Sequence, residues 1–195
     1  MTNIVLVGFK RSPFTVANKG LLAGVRPEDI LSQVINDLIK TTNINKDDIE
    51  DIIAGCAYPE GAQGYNIAKI VSFMTGMPEH VGGMTINRWC GSSMQAIHSA
   101  AGAISMNAGK VFICCGIESM TSVPINGLNY SPHPELIKDQ PNVYLSMGLT
   151  AENVAKKFNI SVLKGPCLAK ELARKIKSYT VIANKKISIA KTVSY

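Results

Sequence analysis

Met84-Thr85-Ile86-Asn87-Arg88-Trp89-Cys90-Gly91-Ser92-Ser93-Met94-Gln95-Ala96-Ile97 joins a strand pattern to a helix pattern through a cysteine. A β-type run stops at a cysteine, two small residues give a tight corner, and a helical pattern begins. Met94, Ile97, Ala101 and Ile104 recur three or four apart, the spacing of one helix face. Small residues fill most other positions, which predicts a helix packed closely between other elements. Gly109 ends it as a C-cap, and Val111-Phe-Ile-Cys-Cys115 follows as a fully buried strand. Strand, helix and strand in that order form a parallel crossover unit. The same reading puts the Cys90 thiol at a helix N-terminus, where backbone N–H groups and the macrodipole favour a thiolate. A thiolate there is placed for nucleophilic catalysis. The alternative is a packed structural cysteine, since free cysteines are among the most buried residues. Position alone leaves both open.

Outward from the corner the chain alternates strand and helix. A strand is expected at 3–9 and a helix at about 27–41, with Pro27 in its first turn and Ile30, Val34 and Leu38 on one face. A short acidic turn at 45–48 leads to a strand at 51–55. A helix at 65–75 precedes the strand at 83–88, and the strand at 111–117 follows the Cys90 helix. Strands separated by helices imply a mostly parallel sheet covered by helices. From 118 to 150 the chain is rich in Pro and Gly, the composition of a long functional connection, and a helix is expected over 150–158.

Six segments then carry a resemblance. Asn87-Arg-Trp-Cys-Gly-Ser-Ser-Met-Gln-Ala-Ile97 resembles the nucleophile motif of the thiolases, the acetyl-CoA acyltransferases. Arg11-Ser-Pro-Phe14, Val25-Arg-Pro-Glu-Asp29 and Glu60-Gly-Ala-Gln-Gly-Tyr-Asn-Ile-Ala68 are similar to segments that precede it in the family. Gly116-Ile-Glu-Ser-Met-Thr121 and Met147-Gly-Leu-Thr-Ala-Glu-Asn153 are similar to segments that follow it. The resemblance runs over roughly residues 3–161 and gives way at Val162. It implies a thiolase-like N-terminal half, incomplete relative to a two-fold repeated αβαβα fold. The implied organisation is an α/β domain carrying the nucleophile at 1–121, the start of a loop domain at 122–161, and a divergent basic tail at 162–195.

The resemblance also implies the chemistry. The Cys90 thiolate cleaves a 3-ketoacyl-CoA with coenzyme A, or condenses two acetyl-CoA in reverse, through an acyl-cysteine. Coenzyme A is then a substrate; no cofactor and no metal are expected. Met147 is implied to lie beside the reacting acyl group; read without the family, it is a core methionine at the edge of a helix. The family's His, second Cys and Asn elements belong to its C-terminal half. His98 lies eight positions after Cys90, about 12 Å along a helix at 1.5 Å per residue. His80 is expected at the far end of the incoming strand, and His133 reads as a solvated loop residue. The competing function is a truncated, inactive thiolase remnant or a fragment that only binds a partner. Ser146 before Met147, and Gly91-Ser-Ser-Met94, point to the degradative β-oxidation branch within the resemblance.

Charge separates the body from the tail. Residues 162–195 hold eight Lys/Arg and one acidic residue, whereas the net charge of the whole chain is only +6. A near-neutral body argues against a nucleic-acid or anionic-membrane surface. The tail holds one candidate basic helix, 167–179. No apolar run reaches the roughly 18 residues of a membrane span. Five cysteines without a C-x-x-C pair argue against a zinc site or a disulfide framework. A strand-like start rather than a targeting peptide gives a cytoplasmic expectation. The family resemblance implies a homo-oligomer.

Overall fold

A computed structural model describes residues 4–159. They fall into two compact units that divide after Tyr130.

The first unit is an α/β fold. Its elements are α1 (Pro27–Thr42), β1 (Asp51–Gly55), α2 (Ile67–Met74), β2 (Gly82–Ile86), α3 (Ser92–Ser105) and β3 (Phe112–Gly116). Short 3-10 turns at Lys46–Asp48 and Gly61–Gln63 flank β1. The sheet order is β2-β1-β3, with both pairs parallel. Because side chains alternate along a strand, β1 feeds two cores. Ile52 and Ala54 join Leu31 and Ile35 of α1 and Ile67, Ala68 and Val71 of α2. Ile53 points the other way, into a smaller core with Ala96 and Ala100 of α3. The helix-covered parallel sheet is the expected class.

Several local expectations are corrected. The run at 4–9 is not a strand: it pairs with none of the three strands, and Phe9 is 92% exposed. Its β-branched residues suit a strand, but that preference is realised only against a neighbouring strand and a packed face. The segment instead runs beside the end of α1, where Gly8 lies against Thr42 and Leu38 and Lys10 pairs with Asp37 at 2.8 Å. This explains a second correction. The stripe α1 buries is Leu31 and Ile35, one residue on from Ile30, Val34 and Leu38, which are half-buried.

Helix α3 is buried along one stripe only, Ser92, Ala96 and Ala100. Met94 on its outer side is 64% exposed; small residues fit the sheet contact, while the far side meets no second layer among the described residues. β3 is likewise half-buried, because it forms a sheet edge. β2 ends at Ile86 rather than at 88.

The second unit holds α4 (Pro134–Asp139), a 3-10 turn at Pro141–Tyr144 and α5 (Met147–Phe158). The turn-rich connection therefore contains regular structure of its own. The expected tail helix at 167–179 lies outside the described residues. Among the described residues no helix is long and apolar enough to cross a membrane.

One carboxylate in the sheet is poorly served. Asp51 Oδ1 is buried without a hydrogen-bond partner, and burial pushes this carboxyl up from its ordinary 3.8, against the lowering effects of the Ile52 backbone and Lys69. An acid with a raised folded pKa is stabilising when protonated, and that contribution is lost as pH rises above 3.8. Asp51→Asn is therefore expected to stabilise the fold near neutral pH by about 1 kcal/mol, with the gain shrinking below 3.8. Urea midpoints at the two pH values check this; an equal gain at both would contradict it.

Candidate active site

The corner between β2 and α3 sits at the carboxyl ends of the parallel strands, where open α/β sheets place their ligands. Two glycines let α3 seat there. A Cβ on Gly55, the last residue of β1, would stand 2.4 Å from the Ser92 carbonyl carbon and the Ser93 nitrogen. One on Gly116, at the end of β3, would stand against the Ser93 hydroxyl. Neither glycine has a positive φ; they are needed for close approach, not for conformation.

The corner itself is strained. Trp89 adopts φ +48°, a left-handed conformation that costs a non-glycine residue about 1–2 kcal/mol. Asn87 Oδ1 accepts from the Trp89 N–H at 2.8 Å. The buried Ser92 hydroxyl accepts from the Arg88 N–H at 2.9 Å and donates to the Trp89 carbonyl at 2.5 Å. The Trp89 ring meets Tyr58 edge-on, centroids 5.3 Å apart. Past this bend the Cys90 side chain is exposed. Helix α3 begins at Ser92 with Gly91 as its N-cap, so Cys90 stands just outside the helix rather than within its first turn.

Cys90 is the only exposed thiol among the described cysteines. Burial, then the Glu118 carboxylate, pushes Cys56 up to about 12. Burial, then Cys114, does the same to Cys115. Cys114 is raised by burial and by Asp51. Cys56 is buried and Cys114 and Cys115 are half-buried. A thiol with a pKa near 12 holds on the order of 10⁻⁴ thiolate at pH 8. Iodoacetamide at that pH is therefore expected to label Cys90 at least ~100-fold faster than Cys56 or Cys115, as read by peptide mass spectrometry. Comparable labelling of the buried pair in the folded protein would contradict the assignment of Cys90 as the accessible thiol.

Beside the corner lies a polar network that sequence reading missed. Glu118 Oε2 accepts from the Ala57 N–H at 2.7 Å, and Glu118 Oε1 accepts from Gln63 Nε2 at 2.9 Å. The fully buried Gln63 also donates to the Tyr58 carbonyl and accepts from the Ser119 N–H. Both residues lie in segments quoted for the family resemblance, but 55 positions of chain separate them. Cys115 faces the α1–α2 core, while the close approach to α3 falls on Gly116.

His98 is exposed on α3 and His80 is exposed ahead of β2. Within the second unit, His133 caps α4, its Nδ1 accepting from the Leu136 N–H at 3.3 Å. Met147 is the first residue of α5 and is 73% exposed. The core reading of Met147 is thus wrong: α5 buries none of its residues. No group of three metal-ligating side chains occurs among the described residues.

Residues 4–164 match the family model for the N-terminal domain of thiolases. The chain belongs to the thiolase family. The 3-ketoacyl-CoA thiolase of Bacillus subtilis is 40% identical over 161 residues, covering 83% of this chain and 41% of the relative. That of Aeromonas salmonicida is 38% identical over 163 residues, covering 83% and 42%. Among solved structures, the dimeric peroxisomal thiolase of Saccharomyces cerevisiae superposes with TM-score 0.70 at 28% identity, over 80% of this chain and 42% of that one. Human mitochondrial 3-ketoacyl-CoA thiolase, solved in complex with CoA, gives TM-score 0.64 at 27% identity, over 78% and 41%. This thiolase-family chain spans about two fifths of the length of the relatives it matches.

Proposed function

We infer that the chain is a thiolase-class acyltransferase acting on 3-ketoacyl-CoA, with Cys90 as the nucleophile. The carrying observation is the exposure of Cys90 at the strained β2–α3 corner, while Cys56, Cys114 and Cys115 are buried or half-buried. The thiolate attacks the 3-keto carbon, and the bond between C2 and C3 breaks. Its electron pair leaves on acetyl-CoA as an enolate, which takes up a proton. The acyl group, now a thioester of Cys90, passes to the thiol of a second coenzyme A, whose proton goes to a base. Coenzyme A is a substrate throughout. Met147, exposed at the start of α5, is the residue we expect against the acyl group. The degradative direction, a reducing cytoplasmic setting and assembly with further copies complete this reading. The CoA-bound and dimeric relatives support its substrate and assembly parts.

A second reading, an acyl acceptor that does not turn over, is favoured by one observation. Among the described residues no side chain makes a hydrogen bond to Cys90 Sγ. A missing general base costs about 10²–10⁴-fold. Incubating the chain with a 3-ketoacyl-CoA and following acetyl-CoA release decides between the two. Stoichiometric release that stops at one equivalent supports acyl transfer to the chain without turnover. Continued release on adding coenzyme A supports the complete enzyme. No release at all would overturn the assignment of Cys90 as nucleophile.

A further inference from the structure

We propose that Asn87 is the positioning residue of the nucleophile corner, holding the left-handed Trp89 that turns Cys90 outward; the proposal rests on Cys90 being the nucleophile. Asn87 is the last residue before the bend and leaves β2 after Ile86. Its side chain spans two elements. Nδ2 donates to the Ala57 carbonyl at 2.8 Å, and Oδ1 accepts from the Trp89 N–H at 2.8 Å. Both partners have fixed polarity, a carbonyl and an N–H, so the amide fits in one orientation only. The Ala57 N–H is held in turn by Glu118 Oε2 at 2.7 Å. Ala57 is thus pinned at both ends of its backbone, and Asn87 carries that fixed point across to the residue before Cys90.

A bulky residue in the left-handed region persists only where its surroundings over-determine it. Four contacts do so at Trp89. The Ser92 N–H and the Ser92 hydroxyl both bind its carbonyl, Tyr58 meets its ring, and Asn87 holds its N–H. Of these, the Tyr58 ring and the Asn87 bridge reach the chain beyond β1, and only Asn87 does so through the backbone. Ser92 belongs to α3 and moves with it, and the ring contact fixes the side chain rather than the peptide. Without Asn87, Trp89 is free to return to the extended region, and the following residue rotates with it. An alanine or leucine at 87 offers neither group; an aspartate keeps the acceptor for Trp89 and loses the donor for Ala57.

Trp89 is the only tryptophan in the chain, so its emission reports this corner directly. Asn87→Ala and Asn87→Asp are compared with the unaltered protein well below their unfolding midpoints, with iodoacetamide as the probe of Cys90. Asn87→Ala is expected to change the Cys90 labelling rate at least tenfold and to shift Trp89 emission, with the far-ultraviolet circular dichroism unchanged. Asn87→Asp, which keeps an acceptor for the Trp89 N–H and loses the donor to Ala57, is expected to fall between the parent and Asn87→Ala in both rate and emission. If Asn87→Ala does not fold, the same prediction stands on Asn87→Leu, which keeps the shape of asparagine and offers neither polar group. Rates and emission equal to the parent in the alanine or leucine variant would overturn the proposal, as would an aspartate variant no better than either. Alkylation involves no coenzyme A, so these outcomes are independent of whether Cys90 accepts an acyl group.

Discussion

Replacing Cys90 by serine is expected to lower acyl transfer from 3-ketoacyl-CoA by at least about 10³-fold, in line with the losses that follow removal of a covalent nucleophile. A hydroxyl at this position is far less ionised than a thiol near neutral pH, and no described side chain bonds to the Cys90 sulfur that could take its proton. The fold should be indifferent. The Cys90 side chain is exposed and serine has nearly its shape, so the stability change should stay within about 0.5 kcal/mol. An unchanged melting curve with activity lost is the expected pair of results. A serine variant that retains release of acetyl-CoA would place the chemistry elsewhere in the chain.

The second large effect falls on the sheet end. A Cβ on Gly55 meets the Ser92 and Ser93 backbone at 2.4 Å, and backbone cannot rotate away as a side chain can. Overpacking of this kind costs about 1–3 kcal/mol, occasionally more. We expect Gly55→Ala to lie at the upper end and to lower the melting midpoint by roughly 6–12 °C, at 2–4 °C per kcal/mol for a chain of this size. It should also disturb Cys90, because the first turn of α3 is what must shift. Gly102→Ala is the matched control. A Cβ there meets nothing within 4 Å, and removing a mid-helix glycine stabilises by about 0.5–1 kcal/mol. A Gly55→Ala variant as stable as the parent would mean that α3 does not rest on the strand end as closely as described.

Much of this was legible in the sequence, for identifiable reasons. The β1 bounds follow from a short apolar run between an acidic turn and a glycine, and the start of α1 from Pro27 with Glu28 and Asp29. The Cys90 corner was legible because two small residues follow the thiol and a 3.6-residue pattern follows them. What failed depended on neighbours. The run at 4–9 has strand composition, but composition does not supply a pairing partner. The α1 stripe was read one residue off because both Ile30-Val34-Leu38 and Leu31-Ile35-Ile39 are apolar, and only packing chooses between them. Met147 has the apolar character of a core residue, yet α5 buries none of its residues. The Glu118–Gln63–Ala57 network and the Asn87 bridge join residues far apart in the chain, and no local periodicity encodes such a meeting.

Acylation of Cys90 is tested by incubating the protein with a 3-ketoacyl-CoA, quenching in acid, digesting, and locating the acyl group by peptide mass spectrometry. We expect one thioester-linked acyl group, on the peptide containing Cys90, removed by hydroxylamine and absent in Cys90→Ser. An acyl group on Cys56 or Cys115, or none on Cys90 while acetyl-CoA is released, would contradict it.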